Sequence, residues 1–479
     1  MARSMTPAAS RRRSPPVDLS PVDQPADGSF RDPSGFVFRR DGVVLRQVNR
    51  SFAERWDDLR ASGLLTTLQK QGLLIDHSEV DRGLAAAPDL AHAVLQPEPL
   101  AFVSYPYEWA FGLLKDAALA TLEAQSVASA AGFGLRDASA YNVQLHRGRP
   151  ILIDTLSFER VRPDAPWRAY RQFCEHFLAP LALMAHRDVR CGLLMRDFID
   201  GVPVDLAASL LPGRTKIDVG LASHIHAHGR AVRRASRRVV EGPPTARMGG
   251  VRRAALFDSL RRTVDKLSWE PAGTPWSGYA EATTYSAAAE RSKDQLVRQL
   301  LEAGGGAVVW DLGANTGRFS RIAATLGRTV VAWDADAGAT ELNYREVRKG
   351  HDASIIPLLS DLTNPSPGLG WANEERRSLI GRANADVVLA LALAHHLVIG
   401  KNIRLAMVAD LLARLAPQAI VEFVPDTDPM AQQLLKARDD VKPSLTIEAF
   451  RQVFETRFDI LDDLPIEDSE RRLLRVRRR

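Results

Sequence analysis

At 479 residues the chain is too long for one ordinary core, so two domains and a terminal tail are expected. Apolar residues make up 45% and charged residues 25%, which excludes a collagen-like, coiled-coil or wholly disordered chain. The net charge of +5 is small for this length and does not call for a polyanionic partner.

Residues 1–30 carry Arg11, Arg12 and Arg13, then Ser14-Pro15-Pro16, without the apolar run of a secretion signal. Asp18, Asp23 and Asp27 argue against organelle targeting, so this stretch reads as a disordered tail. Alternation of apolar and polar residues around Asp41-Gly42 predicts a hairpin over 35–48. Helices are expected over 52–71 and 110–131, a buried strand at 149–154, and mostly helix from 170 to about 236. These make residues 31–245 an α+β, mostly helical domain. Gly242-Pro243-Pro244 and Gly249-Gly250 then predict a loosened linker over 246–275.

From Lys293 onward the pattern becomes α/β. Strands are predicted at 308–311, 329–334, 355–358, 387–391 and 419–423, with helices between them. That alternation gives a parallel sheet covered on both faces, here assigned to residues 276–479. Phe458-Asp459-Ile460-Leu461 and Arg472-Leu473-Leu474-Arg475 read as a closing antiparallel pair.

Cys174 and Cys191 are too few for a disulfide framework, and a reducing, cytoplasmic compartment is expected. No apolar run is long enough to span a membrane. Arginines cluster at 11–13, 230–238 and the last nine residues, yet no aromatic residues interleave with them as base stacking requires. They read as solvated faces, and a nucleic-acid partner is not expected. His224, His226 and His228 would share a face only on a strand, and their helical surroundings argue against a metal site.

The first predicted strand of the α/β half runs into Asp311-Leu312-Gly313-Ala314-Asn315-Thr316-Gly317. Gly313 and Gly317 let the backbone approach a ligand closely, and the following helix start offers free N–H groups. The second strand ends at Asp334, where a carboxylate can accept ribose hydroxyls, with Asp336 as a neighbouring substitute. The third ends at Asp361-Leu362, where an adenine amino group would lie. The glycine turn lacks the G-x-G-x-x-G form preferred by dinucleotide sites.

These segments resemble motifs I, II and III of class I S-adenosylmethionine-dependent methyltransferases. Asn364-Pro365-Ser366-Pro367-Gly368-Leu369-Gly370-Trp371, Leu391 to Leu397 and Val421-Glu422-Phe423-Val424-Pro425 are similar to bacterial nodulation-protein-type methyltransferases. The resemblance implies a Rossmann-like, seven-stranded sheet and S-adenosylmethionine as cofactor. It also implies that Asp311, Gly313, Ala314, Asn315 and Gly317 approach the methionine moiety, Asp334 the ribose, and Asp361 with Leu362 the adenine. His395, His396 and Glu422, at the ends of the next strands, are candidate bases for the acceptor. Trp276, Tyr279, Tyr285 and Lys293 precede the glycine turn at spacings that suit a lid.

A second constellation lies in the first domain, where Asp137, Asn142 five positions on, and Asp154 follow the order of a kinase catalytic loop and metal aspartate. This resembles a degenerate protein-kinase-like fold. Leu135 stands where the family has histidine, Thr155-Leu156 follows Asp154, and the only cation on the neighbouring strand is Arg46. The expectation is therefore a methyltransferase whose first domain helps select the acceptor, a small molecule, glycoconjugate or protein. The alternatives are a phosphotransferase using Asp137, Asn142 and Asp154, and a non-catalytic scaffold.

Overall fold

The computed structural model describes residues 28–235, 247–271, 286–350, 352–436 and 445–479. Residues 1–27 of the predicted tail, Trp276, Tyr279, Tyr285 and Gly242-Pro243-Pro244 fall outside them. The chain opens with β1 (Gly35–Arg40) and β2 (Val43–Asn49), paired antiparallel so that Arg40 faces Val43. Their two-residue turn is left-handed at both Asp41 (φ 50°) and Gly42 (φ 80°), the geometry that matches strand twist. β3 (His77–Val80) and β4 (Ala91–Pro97) complete a four-stranded sheet of order β1-β2-β4-β3. The single helix expected over 52–71 is two, Ala53–Ser62 and Leu64–Lys70, because Gly63 adopts φ 71° and ends the first.

The helix Phe111–Ala130 buries Leu113, Leu114, Ala117, Ala118 and Leu122, and forms the spine of the first half. Two short antiparallel pairs follow. β5 (Phe133–Leu135) pairs with β8 (Phe158–Arg160), and β6 (Val143–His146) with β7 (Arg149–Leu152).

The expected linker over 246–275 is corrected at its centre. Residues Gly250–Lys266 form a helix that buries Phe257, Leu260 and Val264 in the first half's core. Lys115 closes its end by donating to the carbonyls of Asp265 (2.8 Å) and Leu267 (2.9 Å). Three apolar positions on one face made this segment a packed helix despite its flanking glycines.

The second half begins with the helix Ala287–Gly304. Its strands are β9 (Val308–Leu312), β10 (Thr329–Asp334), β11 (Ile355–Leu359), β12 (Val387–Ala390), β13 (Gln418–Phe423), β14 (Phe458–Pro465) and β15 (Arg472–Arg478). They form one sheet of order β11-β10-β9-β12-β13-β15-β14, with β9 to β13 parallel and β15 inserted antiparallel. The closing arginines are spent on cross-strand pairs: Arg475 with Asp462 (2.6 Å), Arg472 with Asp463 (2.5 Å) and Arg479 with Asp459 (2.9 Å). Among the described residues no helix is long and apolar enough to cross a membrane.

The first half covers one face of this sheet. Phe102 sets its ring edge-on to Trp310 of β9 and Trp333 of β10, both at 5.5 Å. These residues belong to one continuous core spanning both halves, while a smaller core fills the sheet's other face. Glu108, 2% exposed, pairs with Arg382 and also accepts the Tyr105 amide at 2.9 Å. Phe102→Ala should therefore cost about 3–5 kcal/mol, read as a lower denaturant midpoint, with Trp310 and Trp333 fluorescence following the loss.

Candidate functional site

The chain leaves β9 and turns back beneath the end of β10. Gly313 (φ 75°) and Gly317 (φ 85°) are both left-handed, and the Gly313 amide donates to the Trp333 carbonyl at 2.8 Å. The Ala314 amide donates to the same carbonyl at 3.0 Å. Asp334 closes the arrangement: one oxygen accepts the Asn315 amide at 2.8 Å and the other the Asp336 amide at 2.8 Å. Gly313 and Asp334 thus lie side by side at the carboxyl ends of adjacent parallel strands. A Cβ added at Gly313 would meet only Leu393, at 3.5 Å, whereas at Gly317 it would strike the Asn343 amide oxygen at 2.3 Å. Gly317 is needed for close packing and Gly313 for an open approach.

Burial raises Asp334 above the usual carboxylate range, and the backbone N–H groups of Asp336, Asn315 and Ala335 pull it back. Asp311 is 2% exposed and accepts the Ser320 hydroxyl at 2.6 Å; burial pushes it up to about 6. Asp361 is exposed and accepts within its own turn from the Thr363 amide (2.8 Å) and hydroxyl (2.7 Å); the adjacent Leu362 is half-buried. Asp336 is also engaged within the protein. Its carboxylate caps the helix Ala337–Gly350 by accepting the Gly338 (2.7 Å) and Ala339 (2.9 Å) amides.

The acceptor side differs from expectation. β12 ends at Ala390, Ala392 takes φ 49°, and His395 and His396 lie at the start of a helical turn, His396–Gly400, past the strand. Their rings lie 4.1 Å apart. His395 is 2% exposed, and neither ring nitrogen has a hydrogen-bond partner among the described residues. Burial, then the neighbouring His396 and Arg471, hold His395 well below its ordinary pKa. Burial brings His396 down to about 4. Both imidazoles are neutral at physiological pH, and the burial that keeps them neutral also makes them weak bases.

Glu422 has no such freedom. It is fully buried at the end of β13 and paired with Lys293 (2.6 Å) and Arg471 (3.2 Å). Arg471 also grips Asp428 at 2.7 Å. A carboxylate between two cations is a poor base, so Glu422 is reassigned as the anchor that joins the helix Ala287–Gly304 and the β14–β15 turn to the sheet. Lys293, expected in a lid, is buried in that anchor. Sequence spacing gave no signal for Arg471, which lies 49 residues from Glu422.

In the first half the structure brings Asp137, Asn142, Asp154 and Arg46 together, Arg46 pairing with Asp154. The His224–His228 run is scattered on a helix. His224 bonds Tyr170 and Ser259 (2.9 Å each), and His226 bonds Thr215 at 2.8 Å. No group of residues suited to a metal occurs among those described.

Sheet order, glycine turn and strand-end carboxylate define a Rossmann-like α/β domain with its ligand end at the carboxyl ends of the parallel strands. No protein-family model matches the chain. It is 35% identical over 459 residues to nodulation protein NoeA of Rhizobium meliloti (strain 1021), spanning 93% of this chain and 94% of NoeA. The chain belongs to the NoeA family. Solved structures similar to it include WbdD (17% identity, 43% of each chain, TM-score 0.29). Others are magnesium protoporphyrin IX methyltransferase ChlM of Synechocystis PCC 6803 with bound SAH (19%, 40% of this chain and 84% of that one, TM-score 0.30) and the N-methyltransferase NodS of Bradyrhizobium japonicum WM9 (11%, 40% and 98%, TM-score 0.31). At these TM-scores the likenesses carry no conclusion about activity.

The histidine pair has a pH signature. A depressed folded-state pKa contributes stability above about 6.5 that is lost as pH falls toward about 4. For His396 the loss is on the order of 3 kcal/mol. Denaturant midpoints measured from pH 7 to pH 4 should fall less steeply for His396→Gln than for the wild type.

Proposed function

We propose that the protein transfers a methyl group from S-adenosylmethionine to a hydroxyl or amine acceptor. The observation that carries this reading is the placement of Gly313 and Asp334 at the carboxyl ends of adjacent parallel strands, with the Asn315 backbone N–H bonded to the Asp334 carboxylate at 2.8 Å. The residues present suit the cofactor. Gly313 leaves room for a ligand to approach the backbone, Asp334 keeps lone pairs for ribose hydroxyls, and Asp361 is exposed at the adenine end. S-adenosylmethionine supplies an electrophilic methyl group. The chain's own part is to hold donor and acceptor in line, which can provide much of the rate.

His395 is the candidate best suited to orient the acceptor. Its imidazole is neutral, buried and unpartnered, so an acceptor O–H or N–H can donate to it. His396 stands beside it as the second candidate. The first half, covering one sheet face through Phe102, supports a role in selecting the acceptor.

Two measurements test this. Calorimetry should detect S-adenosylmethionine binding to the wild-type chain and none to Asp334→Ala. If the folded wild type binds no S-adenosylmethionine, the proposal fails. With an acceptor in hand, His395→Ala should bind the cofactor normally but form S-adenosylhomocysteine on the order of 10²–10⁴ times more slowly. An unchanged rate would remove His395 from the chemistry.

A further inference from the structure

The fold brings Asp137, Asn142 and Asp154 together. Asp137 follows β5, Asn142 precedes β6, Asp154 follows β7, and the pairings β5–β8 and β6–β7 bring all three to one place. A kinase-like site of this kind works through divalent cations held by the asparagine and the second aspartate, beneath a glycine-rich loop that covers phosphates. Both requirements can be checked against these residues, and neither is met.

The cation's place is taken. Arg46, on β2, pairs with the Asp154 carboxylate, and the two side chains are only 13% and 15% exposed. Asp154 also accepts the Leu156 amide at 3.1 Å and the Ser157 hydroxyl. Ser157, 1% exposed, in turn accepts the Asn142 amide at 3.4 Å. Asn142 also hydrogen bonds Asp137, which accepts the Gln172 amide (2.7 Å) and the Ser139 backbone N–H (2.9 Å). The result is a chain of internal bonds, Arg46 to Asp154 to Ser157 to Asn142 to Asp137 to Gln172. A metal ion needs several oxygen ligands at once, and here it would have to expel a guanidinium and break Ser157 from both neighbours.

The phosphate cover is missing too. β1 and β2 are joined by Asp41 and Gly42 alone, a tight turn with no length to fold over a nucleotide. What the constellation does touch is the other half of the protein. Tyr141, immediately before Asn142, lies under the Arg376 guanidinium at 4.3 Å. Arg376 belongs to the connection between β11 and β12, whose Glu375 is held by Arg31 at 2.7 Å.

We infer that this is a metal-independent site in which Arg46 stands where a phosphotransferase would hold its divalent cation. Its loop serves as the seat for the β11–β12 connection of the methyltransferase half. Removing one partner of the ion pair leaves a poorly solvated charge, so each single variant loses stability, and removing both restores part of it.

The test uses the full chain with S-adenosylhomocysteine present, so that adenine binding at the other site does not interfere. Mn²⁺ binding is followed by electron paramagnetic resonance in wild type and Asp154→Asn, and Tm is measured with ATP plus Mg²⁺ and with ATP plus EDTA. The expected result is equal Mn²⁺ binding in the two proteins and no Mg²⁺-dependent rise in Tm with ATP. Mn²⁺ bound by the wild type and lost in Asp154→Asn overturns the inference. So does a Tm raised by Mg²⁺ and ATP together, a reading that stands on the wild type alone if Asp154→Asn does not fold. A third arm compares Arg46→Met, Asp154→Asn and the double variant. A double variant more stable than the sum of the two single losses upholds the internal pair, and strict additivity overturns it.

Discussion

A carboxylate at the tip of a buried parallel strand must find donors, and Asp334 finds them in the chain that passes it. Its bonds to the Asn315 and Asp336 amides, both 2.8 Å, tie the end of β10 to the glycine turn after β9 and to the start of the next helix. The turn is thereby held before any ligand arrives. A ligand meets a preset backbone path, and the ordering cost that a loose glycine loop would impose is already met by folding. Ribose hydroxyls would add to a carboxylate that is already fixed in place.

The other side of the crevice is organised by a second buried carboxylate used differently. Glu422 gathers Lys293 from the preceding helix and Arg471 from the last hairpin turn, so that three distant parts of the chain meet at the end of β13. Such a buried network is a poor source of net stability compared with apolar packing, but breaking it by removing one partner is severe. It leaves His395, beside these charges and without a hydrogen-bond partner among the described residues, as the neutral group that an acceptor O–H or N–H can bond.

The two halves are bound through core and not by surface contact alone. Phe102 between Trp310 and Trp333, Tyr344 on Asp116 at 2.7 Å, and the buried Glu108–Arg382 pair all cross between them. A domain so attached cannot swing freely over the crevice. Its influence on the acceptor must come through the surface it presents and through the β11–β12 connection it supports.

What the sequence determined by itself was the local and periodic part. The five parallel strands were legible to within a residue or so at their ends, because each is a short apolar run bounded by turn residues. The glycine turn and Asp334 were legible because backbone needs at a strand end leave glycine and a carboxylate at readable positions. The Gly250–Lys266 helix was misread because glycines nearby outweighed its apolar face. The capping role of Asp336 was not legible, because a helix cap and a ligand carboxylate look alike in one dimension. Tertiary structure alone decided the fates of Glu422, Lys293, Arg471 and Arg46. A charge's role depends on which opposite charge lies within a few ångströms after burial, and those partners are scattered far along the chain, where neither spacing nor periodicity records them.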